Sequence, residues 1–246
     1  MNAIATSGTQ VPWPSIRDSL NTGDLVFLQG DPTTSTVDLL IETMDNAAGE
    51  LPRSHVGMVI NDSGALYLFD APGPGPCTGV NGCYPDPYVA DPLNRLYGKA
   101  NQDGSHDGLR IAPIDAVLKY YASVMPGDQF WVRQLTAPAI SADQFAALRI
   151  FINRVDGLPF PNEYVGMPAN FAAGQKKTEL FYGTYFCAQL VADAYMHMGL
   201  LSMDAYPPNA YSPGTWTASD ITQLPLVGGA TLGDSINVVW QDPTAR

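Results

Sequence analysis

Two short apolar runs on either side of a turn constrain this chain more than any other feature. Ser54-His55-Val56-Gly57-Met58-Val59-Ile60 reads as one strand and Ala65-Leu66-Tyr67-Leu68-Phe69-Asp70 as a second. Asn61-Asp62-Ser63-Gly64 supplies turn chemistry between them. With those four residues as the loop, Ile60 faces Ala65, Met58 faces Tyr67, Val56 faces Phe69 and His55 faces Asp70. Opposed side chains share a face of the sheet, with Cβ atoms about 4.5–5.5 Å apart. A carboxylate at that distance can accept a hydrogen bond from one imidazole nitrogen and aim the other outward. The pairing depends on register, because a slip of one residue turns Asp70 to the opposite face.

The rest of the chain is organised around this hairpin. Gly23-Asp24 punctuates the chain ahead of a short apolar strand, Leu25-Val26-Phe27-Leu28. Thr36 can cap a helix whose apolar positions are Val37, Leu40, Ile41 and Met44. Ile114, Val117, Leu118 and Tyr121 mark another helix, and Gln129 to Leu135 reads as a strand. Ser141-Ala142-Asp143-Gln144 is a capping-box pattern, continued by Phe145, Leu148, Ile152 and Val155 as a helix. A helix from Cys187 to about Met198 stops at Gly199, and Ile236 to Trp240 is a late strand.

With 246 residues, no internal repeat and no shift in composition, the expectation is one domain over residues 23–246, preceded by an N-terminal arm over residues 1–22. The 23 Gly and 21 Pro are enough to predict long irregular connections, and 13 of them fall in a single loop at 71–108.

Charge and cysteine usage narrow the function classes. A formal net charge of −12 argues against nucleic acid or an anionic membrane surface as partner. No secretory signal and no apolar run long enough for an integral membrane segment is visible, so the cytoplasm is the default location. Packaging in a virion or release by lysis would leave the same trace. Three cysteines are too few for a disulfide scaffold. Cys77 and Cys83 are close enough to pair in an oxidising compartment, and are otherwise two loop thiols.

Cys187 is the chemically interesting thiol. Phe186-Cys187-Ala188-Gln189-Leu190-Val191-Ala192 reads as the start of a buried helix with the cysteine in its first turn. The partial positive charge of a helix N-terminus favours thiolate there. Cys187, Leu190 or Val191, Ala194 and Met198 share its apolar face, so Cys187 points toward whatever that helix packs on. If that is the hairpin, Cys187, His55 and Asp70 become nucleophile, base and orienting group, with the Cys187 N–H as an oxyanion donor. Gly57, on the His55 face, leaves room for the helix to approach.

Each residue also has an ordinary structural reading: Cys187 as a small core residue, His55 as a satisfied structural group, Asp70 as a turn former before Ala71-Pro72-Gly73. His197 lies ten residues beyond Cys187 on the same helix, about 15 Å along its axis, and is too distant to serve that thiol. His106 sits in Asp103-Gly104-Ser105-His106-Asp107-Gly108, but the twelfth position of such a calcium loop would be Ile114 rather than glutamate. No cluster has zinc spacing and no glycine motif cradles phosphate, so neither metal nor cofactor is expected.

Gly23-Asp24-Leu25-Val26-Phe27, Ser54-His55-Val56-Gly57-Met58-Val59, Phe69-Asp70-Ala71 and Phe186-Cys187-Ala188-Gln189-Leu190-Val191-Ala192 occur in that order. A tail with Gly199-Leu200-Leu201, Pro207-Pro208 and Tyr211-Ser212-Pro213 follows. Together these segments, spanning roughly residues 23–215, resemble the circularly permuted, papain-like cysteine hydrolases of the NlpC type, related to the lecithin:retinol acyltransferase-like proteins. The resemblance implies an α+β fold, with an antiparallel sheet or partial barrel carrying His55 packed against the helix that carries Cys187. It also implies Cys187 as nucleophile, His55 as base and Asp70 as the third polar residue. The family more often places a longer carboxylate at the third position, and a serine where this chain has Ala188.

The implied reaction is hydrolysis or transfer at an amide or ester carbonyl through an acyl-cysteine. The leading expectation is a cysteine amidase or peptidase acting on a peptide-like or acyl-containing substrate. An acyltransferase or thioesterase on lipid-like substrates would use the same residues, and a non-catalytic module could keep the fold. Tyr182, Tyr185 and Phe186 either shape an apolar pocket beside the thiol or belong to the core.

Overall fold

The computed structural model describes residues 10–30, 36–48, 53–72, 109–124, 129–156, 158–161, 166–178, 183–218 and 224–243. Cys77, Cys83, Tyr182, His106 and nearly all of the expected 71–108 loop lie outside the described residues. The fold is α+β. Its elements in chain order are β1 (Val11–Pro12), α1 (Trp13–Arg17), β2 (Leu25–Gln29), α2 (Thr36–Ala48), β3 (His55–Asp62), β4 (Ala65–Asp70) and β5 (Arg110–Pro113). Then follow α3 (Ile114–Val124), β6 (Gln129–Arg133), β7 (Leu135–Thr136), α4 (Ala142–Val155), α5 (Gly166–Gln175), α6 (Cys187–His197), β8 (Thr231–Leu232) and β9 (Ile236–Val239).

Seven strands form one sheet in the order β1-β9-β6-β2-β3-β4-β5. Every pairing in it is antiparallel except β1 with β9, so the sheet is mixed rather than purely antiparallel. β7 and β8 make a separate antiparallel pair.

Alternation along the strands fills two cores. Leu25, Phe27, Val56, Met58, Ile60, Phe69 and Trp131 join residues of α4, α5 and α6 in one cluster. Val26, Leu28, Val59, Leu66, Leu68, Phe130 and Val132 join α1 and α3 in the other. A sheet covered on both faces explains why β2 reads as an unbroken apolar run rather than an alternating one. Among the described residues no helix is long and apolar enough to cross a membrane.

The N-terminal segment is packed from its first described residues onward. β1 adds to the sheet edge beside β9, and Trp13, Ile16 and Leu20 are buried in the second core. Trp13 Nε1 and Arg17 Nε both donate to Asp115 of α3, at 2.7 and 2.9 Å. The Gly23-Asp24 punctuation is a tether. Asp24 is buried and accepts from the Asn21 and Leu135 amides at 2.8 and 2.7 Å, while the Tyr195 hydroxyl of α6 donates to the Gly23 carbonyl.

The β3–β4 hairpin differs from the expected register by two residues. Its pairs include Met58 with Phe69, Ile60 with Tyr67 and Asp62 with Ala65. Ser63 and Gly64 both have positive φ, 55° and 92°, the signature of a two-residue primed turn that matches strand twist. Asn61 and Asp62 therefore extend β3 instead of forming the loop. Thr22 Oγ1 accepts from the Asn61 amide at 3.0 Å, and the Asn61 side chain donates to the Leu20 carbonyl at 2.9 Å. A two-residue slip keeps every side chain on its original face, because the strand period is two.

α4 opens with the expected capping box: Ser141 Oγ accepts from the Gln144 amide at 3.1 Å, and Gln144 Oε1 accepts from the Ser141 amide at 3.0 Å. α6 ends at Gly199, φ 67°, with Gly199 N donating to Met196 O and Leu200 N to Tyr195 O, both at 2.9 Å. α5 has no counterpart in the sequence reading. A Cβ at its Gly174 would lie 2.5 Å from the backbone of Asn209 and Ala210, so the glycine permits direct contact with the 3-10 turn at Pro208–Ala210.

Candidate active site

His55 is the first residue of β3, and its backbone neighbourhood is fixed from β2. The Gly30 amide donates to Ser54 Oγ at 2.8 Å, Ser54 Oγ donates to the Leu28 carbonyl at 3.2 Å, and His55 is the register partner of Leu28. Asp70 ends β4 opposite Arg110 of β5. Continuing the hairpin register by one step sets Gly57, not His55, across from Asp70. His55 reaches the carboxylate diagonally, with Nε2 2.8 Å from Asp70 Oδ2.

Asp70 is held from its other side by a guanidinium that the sequence reading missed. Arg110 Nε donates to Oδ1 at 2.9 Å, and a terminal Arg110 nitrogen donates to Oδ2 at 2.7 Å. The carboxylate is fully buried, whereas the imidazole keeps 13% of its surface exposed, so His55 is the member that meets solvent. Burial by itself would raise the Asp70 carboxyl. The Arg110 charge, with hydrogen bonds from His55 and Arg110, overcomes that and holds it below the usual carboxylate value.

Cys187 is the first residue of α6, after an extended Phe186. Its N–H lies outside the helical ladder, which begins with the bond from Leu190 N to Phe186 O at 3.0 Å. The helix packs on β3 and sets Cys187, itself buried, near enough to His55 for the two to interact electrostatically. Burial disfavours a charged imidazole. The Cys187 charge and the hydrogen bonds from Asp70 and Cys187, with the Asp70 charge behind them, outweigh it and raise His55 well above its ordinary 6.5. With Nε2 engaged by Asp70, Nδ1 is the ring nitrogen left for the thiol.

A buried amide network anchors the first turn of α6. Asn170 Nδ2 of α5 donates to Gln189 Oε1 at 3.0 Å, and Asn209 Nδ2 donates to the Asn170 carbonyl at 2.7 Å. These polar contacts join residues far apart in sequence, and no local pattern announces them. Arg110 left only a faint trace, an Arg-Ile-Ala-Pro run short enough to be an edge strand.

Of the two placements open to Tyr185 and Phe186, a pocket beside the thiol or the core, the structure gives the second: both are buried in the main core. Tyr185 packs edge-on against Phe151 and donates to Asp193 Oδ2 at 2.5 Å. Gly57 does not make room for α6: a Cβ there would meet Leu68 Cδ1 at 2.8 Å, Leu68 Cγ at 2.9 Å and Asp70 Cβ at 3.0 Å. The glycine lets Asp70 and Leu68 pack close to β3. His197 belongs to a separate surface cluster, stacked on Phe151 with Nε2 2.8 Å from Arg154. Among the described residues, no group of three or more His, Cys, Asp or Glu is arranged to hold a metal ion.

No family model matches the chain, and no curated protein matches it either. Among solved structures, the chain is similar to the metalloprotein yiiX (DUF1105) of Escherichia coli O157:H7, with a TM-score of 0.43 and 15% identity. That match covers 85% of this chain and 96% of the other. So distant a likeness transfers neither metal nor activity to this chain.

Proposed function

We propose that this protein is a permuted papain-like cysteine hydrolase of the NlpC type that cleaves a peptide-like amide through an acyl-cysteine. The observation that supports the reading is the His55 ring held 2.8 Å from the buried Asp70 carboxylate, with Cys187 opening the helix that packs on the same strand. A raised imidazole beside a thiol can hold the proton that the thiol gives up.

In the first half-reaction the Cys187 sulfur attacks the carbonyl carbon, forming a C–S bond while the carbonyl π electrons move to oxygen. The Cys187 N–H, at the start of α6, is the candidate donor to that oxyanion. The tetrahedral species collapses, the C–N bond breaks, and His55 delivers its proton to the departing amine. In the second half-reaction His55 takes a proton from water, whose oxygen attacks the thioester carbon. Collapse breaks the C–S bond and releases the carboxylic acid, and His55 returns its proton to the Cys187 sulfur. Asp70 keeps the Nε2–H directed and Nδ1 available throughout.

The test is a mass-spectrometric search for an acyl adduct on Cys187 after incubation with activated amide and ester donors. It is combined with iodoacetamide labelling of the three cysteines. Selective acylation and labelling of Cys187, both lost in His55→Ala with the fold retained, is expected. Equal labelling of Cys77, Cys83 and Cys187 in the folded protein, with no adduct, would overturn the proposal.

A further inference from the structure

We infer that Arg110 is a positioning residue for the thiol–imidazole pair, acting only through Asp70. The inference rests on the cysteine hydrolase reading and extends it to a group outside the three expected residues.

The argument begins with the carboxylate. Asp70 has no exposed surface, and a buried, unpartnered carboxylate would take up a proton rather than stay charged. A protonated Asp70 would lose the charge that favours imidazolium. It could also rotate its hydroxyl toward His55, competing for the wrong ring tautomer. Arg110 prevents both outcomes. Its two contacts, at 2.9 and 2.7 Å, engage both carboxylate oxygens and fix the plane of the group. One Oδ2 lone pair is then left to meet the His55 Nε2–H at 2.8 Å.

The placement is built into the sheet. Asp70 and Arg110 are direct cross-strand partners on β4 and β5, so the fork is set by backbone register. Gly57 closes the opposite side, since a Cβ there would press on Asp70 Cβ at 3.0 Å. The carboxylate is thus confined between a guanidinium and a bare backbone, with the imidazole as its remaining polar neighbour in these contacts. A lysine would supply charge but not the two parallel bonds.

The test is the pH dependence of Cys187 alkylation by iodoacetamide, read peptide by peptide in the full chain, with circular dichroism as the check on folding. Wild-type protein sets the reference profile. In Arg110→Gln the rising limb should lie at higher pH than in wild type, lowering the rate at a fixed pH on that limb by about tenfold for each pH unit that the limb moves. Arg110→Lys retains a cation beside Asp70 and so protects the fold, and its limb should fall between the two. In an Asp70→Asn background, adding Arg110→Gln should move the limb no further.

A lysine or glutamine variant that matches wild type across the profile would overturn the inference while leaving the hydrolase reading intact. A further shift in the Asp70→Asn background would overturn it too, because Arg110 would then act independently of Asp70. A wild-type Cys187 that is labelled no faster than Cys77 and Cys83 would bring down both readings.

Discussion

Asp70 hydrogen bonds His55 along a diagonal of the hairpin: Oδ2 lies 2.8 Å from Nε2, although the residue directly across β5 from Asp70 is Arg110. A fully buried carboxylate thus bridges two cationic partners on two different strands. The consequences reach both stability and chemistry.

The pH dependence of stability should carry two limbs of opposite sign. His55 is raised in the folded protein, so its contribution is complete below its unfolded value of 6.5 and is lost as pH rises through the folded value. Asp70 is lowered, so its contribution is present above its unfolded value of 3.8 and is lost as pH falls through the folded value. Urea unfolding across the pH range, compared among wild type, His55→Ala and Asp70→Asn, reads each limb separately. An alkaline decline of equal size in wild type and His55→Ala would remove the imidazole from this account.

Gly57→Ala should damage the protein through Asp70. The added methyl would meet Leu68 Cγ at 2.9 Å and Asp70 Cβ at 3.0 Å, neither of which is the free end of a long side chain. Overpacking of this kind costs about 1–3 kcal/mol. The expected result is a lower unfolding midpoint together with slower Cys187 alkylation. Normal alkylation in a destabilised variant would mean that the strain is absorbed by Leu68 alone.

Tyr185→Phe should affect stability and leave the chemistry untouched. The hydroxyl donates to Asp193 at 2.5 Å within a cluster that links α4 to α6, and hydrogen bonds to charged groups contribute about 1.5–3 kcal/mol. Denaturant midpoints should fall, while Cys187 labelling and acyl-adduct formation stay at wild-type rates. Loss of adduct formation with stability unchanged would return Tyr185 to a substrate pocket.

Much of the framework was legible in the residues because it is locally encoded. The capping box at Ser141 and Gln144 and the glycine stop at Gly199 are short-range hydrogen-bonding patterns, and both are present. β3 and β4 were legible as strands, yet their register was misjudged by two. Composition alone does not reveal that Ser63 and Gly64 would make the whole turn while Asn61 is pulled into β3 by Thr22 and Leu20. α5, with Gly166, Pro168 and Gly174, has no apolar stripe to read and owes its helix to packing against the Pro208–Ala210 turn.

The sequence by itself determined which chemistry-bearing residues stand at element ends: His55 opening a strand, Asp70 closing its partner, Cys187 opening a helix. Periodicity, caps and turn residues act over a few positions, so they write themselves into any single chain. Only the tertiary structure decided that the Cys187 helix packs on the His55 strand, that Arg110 clamps Asp70, and that Tyr185 and Phe186 fill the core. Those contacts depend on sheet order and on the packing of helices onto it, which bring together positions far apart along the backbone. Burial and charge then act through space, a dimension that spacing along a chain does not record.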